Sequence, residues 1–334
     1  MAGIAGDCDH TRSVDNAGQF CRYLLVGNSM RVTRGFTLVE LMIATAIAGI
    51  GGALIVTTLT RQQRFYSSAQ DILDVRSQLR DGADVLAEDI RGAAVGEFGF
   101  PMMSDTAIEM YTTIGTSVAC AGSAGNTIGL PPAALVSGNI LTSLLSPPDT
   151  GDVAEIYNAP GGVADSARWE TYPVTSFTSR SLASVCPATT GFTTPGDSFA
   201  GATGYSLVLG ASPSVALRPG APIHFLRRVR YSLYKSSDGW YLGFRKCGAV
   251  SCPGVQPVSG PYKAYRASGG SGLSFRYYDA LGNSVSSSSA SNGVARVDIV
   301  LRGESSHISS FTGDAATRWA DSAVVTVSPR NRLR

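Results

Sequence analysis

One long apolar run dominates the hydrophobic pattern of the chain. From Phe36 to Leu59 the residues are apolar or small, and Glu40 is the one charged side chain among them. A helix of 24 residues extends about 36 Å, which exceeds the roughly 30 Å thickness of a bilayer's hydrocarbon core. The run therefore predicts a transmembrane helix over residues 36–59.

The pattern changes after this run to a mixture of charged and apolar residues. Apolar residues now recur at steps of three and four, with charged residues at most of the positions between them, which is typical of an amphipathic helix. We expect this helix to continue the first one over residues 60–95. The expected buried stripe consists of Ile72, Val75, Leu79, Ala83, Leu86 and Ile90.

Residues 96–334 favour strands. The region from 100 to about 222 is rich in Gly, Ser, Thr and Pro, and we expect it to be an irregular mixture of loops and short strands. Its candidate strands are Ile108–Thr112, Val153–Tyr157, Tyr172–Phe177 and Tyr205–Leu209.

The last third alternates more clearly. The stretch "IHFLRRVRYSLYKSSDGWYLGFRKC", from Ile223 to Cys247, alternates on both sides of "SSDG" and predicts a hairpin. Further strands are expected in "GLSFRYYDALGNSV", "GVARVDIVLRGES" and "DSAVVTVSPRN", with a flexible loop from Ser286 to Gly293. The predicted fold class is α+β, with a long N-terminal helix, spanning a membrane in its first half, packed on a C-terminal antiparallel sheet.

Composition supports a folded chain with no strong electrostatic preference. The 334 residues are 44% hydrophobic and 16% charged, with a net charge of +2. Such a chain can bury a core, so extensive disorder is excluded. The small net charge gives no reason to expect nucleic acid as a partner.

The cysteines favour an oxidising compartment. Of the six, four follow the apolar run: Cys120, Cys186, Cys247 and Cys252. An even number in a secreted domain favours disulfides, and four cysteines leave three connectivities open. The short spacing of Cys247 and Cys252 would close a tight loop. A metal site is less favoured there, because the spacing is not C-x-x-C and no histidine lies nearby.

Glu40 raises the question of how a carboxylate is tolerated in the apolar run. A cleaved signal peptide is one alternative, but the run is longer than a signal sequence requires. A plain anchor explains the length without explaining the acid, whose burial in hydrocarbon costs about 2.5–3.5 kcal/mol. Snorkelling towards the headgroups would reduce this cost. A cut between Gly35 and Phe36 would instead create an amine that could neutralise Glu40 of a neighbouring copy in a helical array.

The stretch "RGFTLVE", Arg34 to Glu40, resembles the cleavage signal of type IV prepilins and pseudopilins. The resemblance implies that a membrane-bound prepilin peptidase cleaves after Gly35 and N-methylates Phe36, and that Glu40 serves in assembly. Residues 1–35 would form the leader. Met30 begins "MRVTRG", a short basic leader of the familiar kind, so translation is expected to start there. The charges of Arg31 and Arg34 would keep this end in the cytoplasm.

Several later stretches resemble PilW-type minor pilins and the related GspJ-type pseudopilins. They are "VLAEDIRGAA", "YLGFRKC", "LSFRYYD" and "VVTVSPRN". The resemblance implies an inner-membrane protein with a periplasmic globular domain, which joins other minor and major pilins to prime pilus assembly at or near the tip. A pseudopilin of a type II secretion system is the second interpretation. A membrane-tethered binding domain or enzyme is a more distant third.

Motifs of enzymatic chemistry are missing from the sequence. The three histidines show no H-x-x-x-H or H-E-x-x-H spacing, and neither a G-x-x-x-x-G-K-[ST] loop nor a G-x-S-x-G turn occurs. His224 falls in an alternating strand, and "DALGN" from Asp279 to Asn283 is explained by a hairpin turn. We therefore expect no enzymatic activity, no cofactor and no bound metal.

Overall fold

A computed structural model describes most of the chain beyond the expected leader. The described residues are 35–94, 98–120, 125–158, 167–197, 201–248, 251–286, 293–309 and 317–330. The leader lies outside them except for Gly35, and so does most of the loop expected between Ser286 and Gly293. The chain divides into two compact units, Met1–Arg61 and Gln62–Arg334.

Helix α1 runs from Leu38 to Arg91 and contains 54 residues. In the second unit its buried residues recur at steps of three and four, as the sequence predicts, but Ile72 of the expected stripe is only partly buried. They are Val75, Leu79, Gly82, Ala83, Leu86, Ala87 and Ile90. The helix ends a few residues before the expected end at residue 95. Gly92 follows the last turn, and Ala94 then donates a backbone hydrogen bond of 2.8 Å to the carbonyl of Tyr111, because the chain has already joined the sheet.

The described residues of the second unit also form fourteen strands. They are β1 (Met102–Met103), β2 (Ala107–Val118), β3 (Thr127–Leu130), β4 (Ser143–Leu144), β5 (Val153–Asn158), β6 (Arg168–Ser181), β7 (Thr203–Leu209), β8 (Pro222–Lys235), β9 (Trp240–Lys246), β10 (Gln256–Tyr262), β11 (Leu273–Tyr278), β12 (Ser284–Val285), β13 (Arg296–Ser309) and β14 (Thr317–Val327). One short helix, α2 (Leu182–Val185), and two 3-10 turns, Ala188–Thr190 and Pro195–Asp197, follow β6.

The long strand β8 organises the sheet. Along one edge it pairs with β2, and along the other it pairs first with β5 and then with β9. The strand order is β12-β11-β13-β10-β9-β8-β5-β6-β7-β3, with β14 on the free edge of β13. Every pairing between the described strands is antiparallel, as expected for strands joined by hairpins and short loops.

The described residues of this unit form two large hydrophobic cores and a small cluster of Cys120, Leu182 and Cys186. The first is formed by the buried stripe of α1 together with inward-facing residues of β2, β8, β11 and β13, among them Ile108, Val229 and Ile299. The second is formed by residues of β3, β5, β6, β7 and β8, including Ile128 and Phe225. The α+β prediction, a long helix packed on an antiparallel sheet, is therefore confirmed.

Two glycines allow helix and sheet to approach closely in the first core. A Cβ at Gly82 of α1 would lie 2.2 Å from the Tyr262 hydroxyl, and a Cβ at Gly303 of β13 would lie 2.6 Å from a methyl carbon of Val75. Both distances are shorter than any real contact of this kind. Glycine is thus required at these positions for packing, and not for an unusual backbone conformation.

The region from 100 to 222 is more regular than its composition predicts. Each of its four expected strands lies within an observed one, and β2 and β6 are much longer than expected. The hairpin across "SSDG" is present as β8 and β9, closed by a 2.8 Å hydrogen bond from Ser236 N–H to the Gly239 carbonyl. Strand β10 was not expected, because its sequence contains two prolines and a glycine, which are disfavoured within strands.

Candidate functional site

The residues of the expected processing site lie directly before helix α1. Gly35, Phe36 and Thr37 are exposed and are not helical, and Phe36 exposes 77% of its surface. Thr37 caps the helix: the Glu40 backbone N–H donates to its Oγ1 at 3.2 Å, and the Leu41 N–H donates to its carbonyl at 3.2 Å. Helix α1 therefore starts two residues after the Gly35–Phe36 peptide bond, which lies in an accessible, non-helical segment.

Glu40 has a local role that the sequence analysis missed. Thr37 and Glu40 have the T-x-x-E spacing of a capping box, in which the threonine hydroxyl accepts from the N–H of the third helical residue. That hydrogen bond is present, and the negative charge lies in the first helical turn, where the helix dipole favours it. The carboxylate is exposed on the helix surface, so it is free to meet a group from another molecule.

The surface around Glu40 is apolar and uncovered. Helix α1 contains an 18-residue window with a mean hydropathy of 2.1, none of which is buried. The exposed apolar side chains of this part of the helix are Leu38, Val39, Leu41, Met42, Ile43, Ile47, Ile50, Leu54, Ile55, Val56 and Leu59. Such a surface is stable only against lipid or other apolar helices, and its length suffices to cross a bilayer.

The four cysteines of the second unit form two disulfides. Cys120, after β2, is bonded to Cys186, after α2, and Cys247 is bonded to Cys252 in the loop between β9 and β10. The first bond joins residues 66 positions apart and the second closes a loop of five. This is one of the three connectivities that the sequence left open.

One group of potential metal ligands occurs among the described residues. The ligand atoms of Glu109, Cys247 and Cys252 lie within 4.8 Å of one another. With the two sulfurs bonded to each other, neither is a thiolate able to bind a metal. Both Glu109 oxygens already accept hydrogen bonds from Arg228 and Arg230. The arrangement is therefore a disulfide beside an ion pair.

A buried carboxylate, Glu170 on β6, is held ionised by its neighbours. It accepts hydrogen bonds from Asn158 at 3.1 Å, from the Tyr172 hydroxyl at 2.7 Å and from Ser214. Burial acts to raise the pKa of Glu170, but these hydrogen bonds outweigh it and lower the pKa to about 2. Fully occupied oxygens leave this acid little capacity for chemistry, so it serves the structure.

Two further residues singled out in the sequence have local structural roles. His224 is half-buried and stacks on Trp169 with ring centroids 4.5 Å apart, and burial lowers its pKa. Asp279 accepts hydrogen bonds from the Leu281 and Asn283 backbone N–H groups at 2.9 and 2.8 Å, and so closes the turn between β11 and β12.

Comparison with known proteins gives one result. A family model described as the prokaryotic N-terminal methylation motif matches residues 30–56, which contain Gly35, Phe36 and Glu40. No curated protein and no solved structure matches the chain. The matched motif and the helix that follows it agree in position: the motif residues precede and begin a helix that is long and apolar enough to span a membrane. The match to this motif supports a type IV prepilin or pseudopilin.

Proposed function

We propose that the protein is a minor type IV pilin of the PilW type, which primes pilus assembly at or near the tip. In this proposal prepilin peptidase cleaves after Gly35 and N-methylates Phe36. The observation that carries the proposal is the position of this bond: it is exposed, non-helical and adjacent to an uncovered apolar helix. A protease needs an extended substrate, and a helix that began earlier would hide the bond. The methylation motif match begins at residue 30, which supports a leader starting at Met30.

Glu40 is the proposed assembly residue. Cleavage would place a positive amine on Phe36, four residues before Glu40. The amine of one subunit and the carboxylate of its neighbour would neutralise each other when both helices are packed among apolar side chains. A carboxylate alone in that environment costs about 2.5–3.5 kcal/mol, so pairing favours the assembled state over the isolated subunit in the membrane.

The second unit is proposed to lie in the periplasm before assembly and at the cell surface in the fibre afterwards. Two disulfides support an oxidising location. Its partners would be other minor and major pilins. We infer a structural role without catalysis, because the oxygens of Glu109, Glu170 and Asp279 are engaged in hydrogen bonds or ion pairs.

A pseudopilin of a type II secretion system, resembling GspJ, remains the second candidate. The methylation motif is common to both classes, so the processing step does not separate them. Deletion of the gene separates them, because loss of pili with normal secretion supports the minor pilin. Loss of secretion with normal pili supports the pseudopilin.

The experiment compares three single variants of the full chain. Gly35→Ala should block processing, which gel mobility and N-terminal sequencing would reveal as retention of the leader. Glu40→Ala should leave processing intact, with Phe36 as the first residue, but reduce incorporation into fibres and recovery of partner pilins. Asp74→Ala removes an exposed acid elsewhere on α1 and serves as the matched control.

Glu40→Gln separates the local role of Glu40 from its proposed role in assembly. Glutamine can complete a capping box as glutamate does, but it has no charge to offer an amine. We expect Glu40→Gln to be as defective in incorporation as Glu40→Ala. Normal incorporation of Glu40→Gln into fibres would show that helix capping suffices and that the charge is not needed. If the processed protein begins at a residue other than Phe36, the amine proposed to pair with Glu40 does not exist.

A further inference from the structure

An imbalance of charge marks the outer face of strands β2, β8 and β9, the face opposite helix α1. Glu109, Arg230 and Arg245 form one row across these strands, since Glu109 pairs in register with Arg230 and Arg230 with Arg245. Residues in such a row point to the same face of the sheet. Two cations are thus direct neighbours, and like charges placed opposite each other destabilise a sheet unless an anion lies between them.

Glu109 does not supply the missing anion. It is 1% exposed, and both of its oxygens are occupied. Arg228 binds Oε1, while Arg230 binds Oε2 through Nε at 2.8 Å and Nη2 at 2.6 Å. One carboxylate therefore serves two guanidinium groups. Arg230, with 32% of its side chain exposed, still has the two N–H groups of Nη1 for another acceptor.

Arg245 is the unpaired member of this row. Neighbouring cations each have an acidic partner: Arg227 binds Asp152 at 2.6 Å and Lys246 binds Asp149 at 2.8 Å. Arg245 has no such partner in the part of the chain that the structure describes, and its Nε is buried with no hydrogen-bond acceptor. A half-buried guanidinium without an anion is costly, so an anion supplied from outside the chain would stabilise it.

An aromatic pair lies on the same face, two rows along the strands from Arg230 and Arg245. Tyr234 and Tyr241 form a cross-strand pair with ring centroids 6.1 Å apart. The Tyr234 ring leans over Gly243, where a Cβ would lie 2.6 Å from its Cδ1, and so extends towards the row of Arg245. Arginine and tyrosine are the residues most enriched in the centres of protein interfaces. This composition favours a protein over a free anion as the occupant.

We propose that Arg230 and Arg245 form an oxyanion site that binds an Asp or Glu carboxylate of a partner protein, docked on the outer face of β2, β8 and β9. The carboxylate lies between Nη1 of Arg230 and the guanidinium of Arg245, and each arginine donates a charge-assisted hydrogen bond to it. The Cys247–Cys252 disulfide begins two residues after Arg245, and Arg228 donates a hydrogen bond to the Gly248 carbonyl at 3.4 Å. The proposal does not depend on the pilin assignment.

The first test measures the site with acetate as a probe carboxylate. Purified full-length protein in detergent is melted in sodium acetate and in sodium chloride at equal ionic strength. Saturating acetate should raise the Tm by about 2 °C. Arg245→Gln should abolish this rise without lowering the Tm in chloride, whereas Arg180→Gln, an exposed arginine on β6, should retain it. An equal rise in Arg245→Gln, or a lower Tm of this variant in chloride, would overturn the proposal.

The second test distinguishes a partner's carboxylate from a small anion. A photo-crosslinking residue is placed in cells at Ser251, which is exposed beside Cys252. We expect a crosslink whose yield falls about fivefold in Arg245→Gln and is unchanged in Arg180→Gln. The acidic residue mapped in the partner is then changed to arginine and combined with Arg245→Glu, which should restore the crosslink. An acetate effect without an Arg245-dependent crosslink, or a failure of the charge exchange, would refute a protein partner.

Discussion

Packing between α1 and the sheet gives a sharp prediction at Gly82. In an exposed helix interior, Gly→Ala stabilises by about 0.5–1 kcal/mol because alanine restricts the unfolded chain. At Gly82 the new Cβ would lie 2.2 Å from the Tyr262 hydroxyl and 2.6 Å from the Ser259 hydroxyl. We therefore expect Gly82→Ala to destabilise the protein, against the helix propensity of alanine.

The magnitude follows from what the Tyr262 hydroxyl must give up. This hydroxyl donates to the Gln78 carbonyl at 3.0 Å and lies 2.5 Å from Ser259 Oγ. Moving a buried hydroxyl away from its partners costs about 1–3 kcal/mol, and crowding a packed contact costs a similar amount. After subtraction of the gain in helix propensity, we expect the free energy of unfolding to fall by about 2 kcal/mol. A unit of this size should then melt about 5 °C lower.

Thermal unfolding of the full chain in detergent measures this loss. Gly92→Ala is the matched control, because its Cβ would meet nothing closer than 3.6 Å. The double variant Gly82→Ala/Tyr262→Phe should recover part of the loss, since phenylalanine lacks the colliding hydroxyl, and the coupling measures the contact directly. If Gly82→Ala melts at or above the temperature of Gly92→Ala, the close helix–sheet approach is wrong.

Two further predictions concern acid stability and the disulfides. The pKa of Glu170 is lowered to about 2 in the folded state, so its stabilisation is complete above about pH 4.5 and is lost as the pH falls towards 2. Glu170→Gln should therefore lower the free energy of unfolding by at most about 3 kcal/mol near neutral pH, and its Tm should fall less steeply in acid. If the variant shows the same dependence of Tm on pH as the unchanged protein, the hydrogen bonds to the Glu170 carboxylate do not stabilise the fold in this way. From the loop-closure entropy, we expect the Cys120–Cys186 disulfide to contribute about 4 kcal/mol to stability and Cys247–Cys252 about 2 kcal/mol. Chemical denaturation should therefore show a larger loss when both cysteines of the first disulfide are changed to alanine than when both of the second are. The reverse order would refute the entropic account.

The motif at the start of the helix was accessible from sequence because its signals are local. Gly35, Phe36 and Glu40 are defined by their neighbours in the chain, and the apolar run follows directly. The capping role of Thr37 was equally accessible, since T-x-x-E spacing before an apolar run is a recognised signal.

The sheet was predicted where alternation is strong and missed where local residues oppose it. Strands β8 and β9 alternate around a turn sequence, so their pairing needs no distant information. Strand β10 contains Pro257 and Pro261, which argue against a strand, yet it lies between β9 and β13. The pairing of β10 with β9 shifts register between Pro257 and Ser259 and again between Ser259 and Tyr262, and these irregularities accommodate the prolines. The segment is therefore a strand because of its neighbours β9 and β13, which its own sequence does not indicate.

By itself, the sequence determined the apolar helix, the acid within it, the adjoining N-terminal methylation motif and the α+β class, because each is defined by consecutive residues or by a short period. Tertiary structure alone decided the disulfide connectivity, the need for Gly82 at the helix–sheet contact, and the unpaired position of Arg245 beside Arg230. These features depend on which strands become neighbours. That choice is made by the packing of side chains distant in sequence, which no local pattern records.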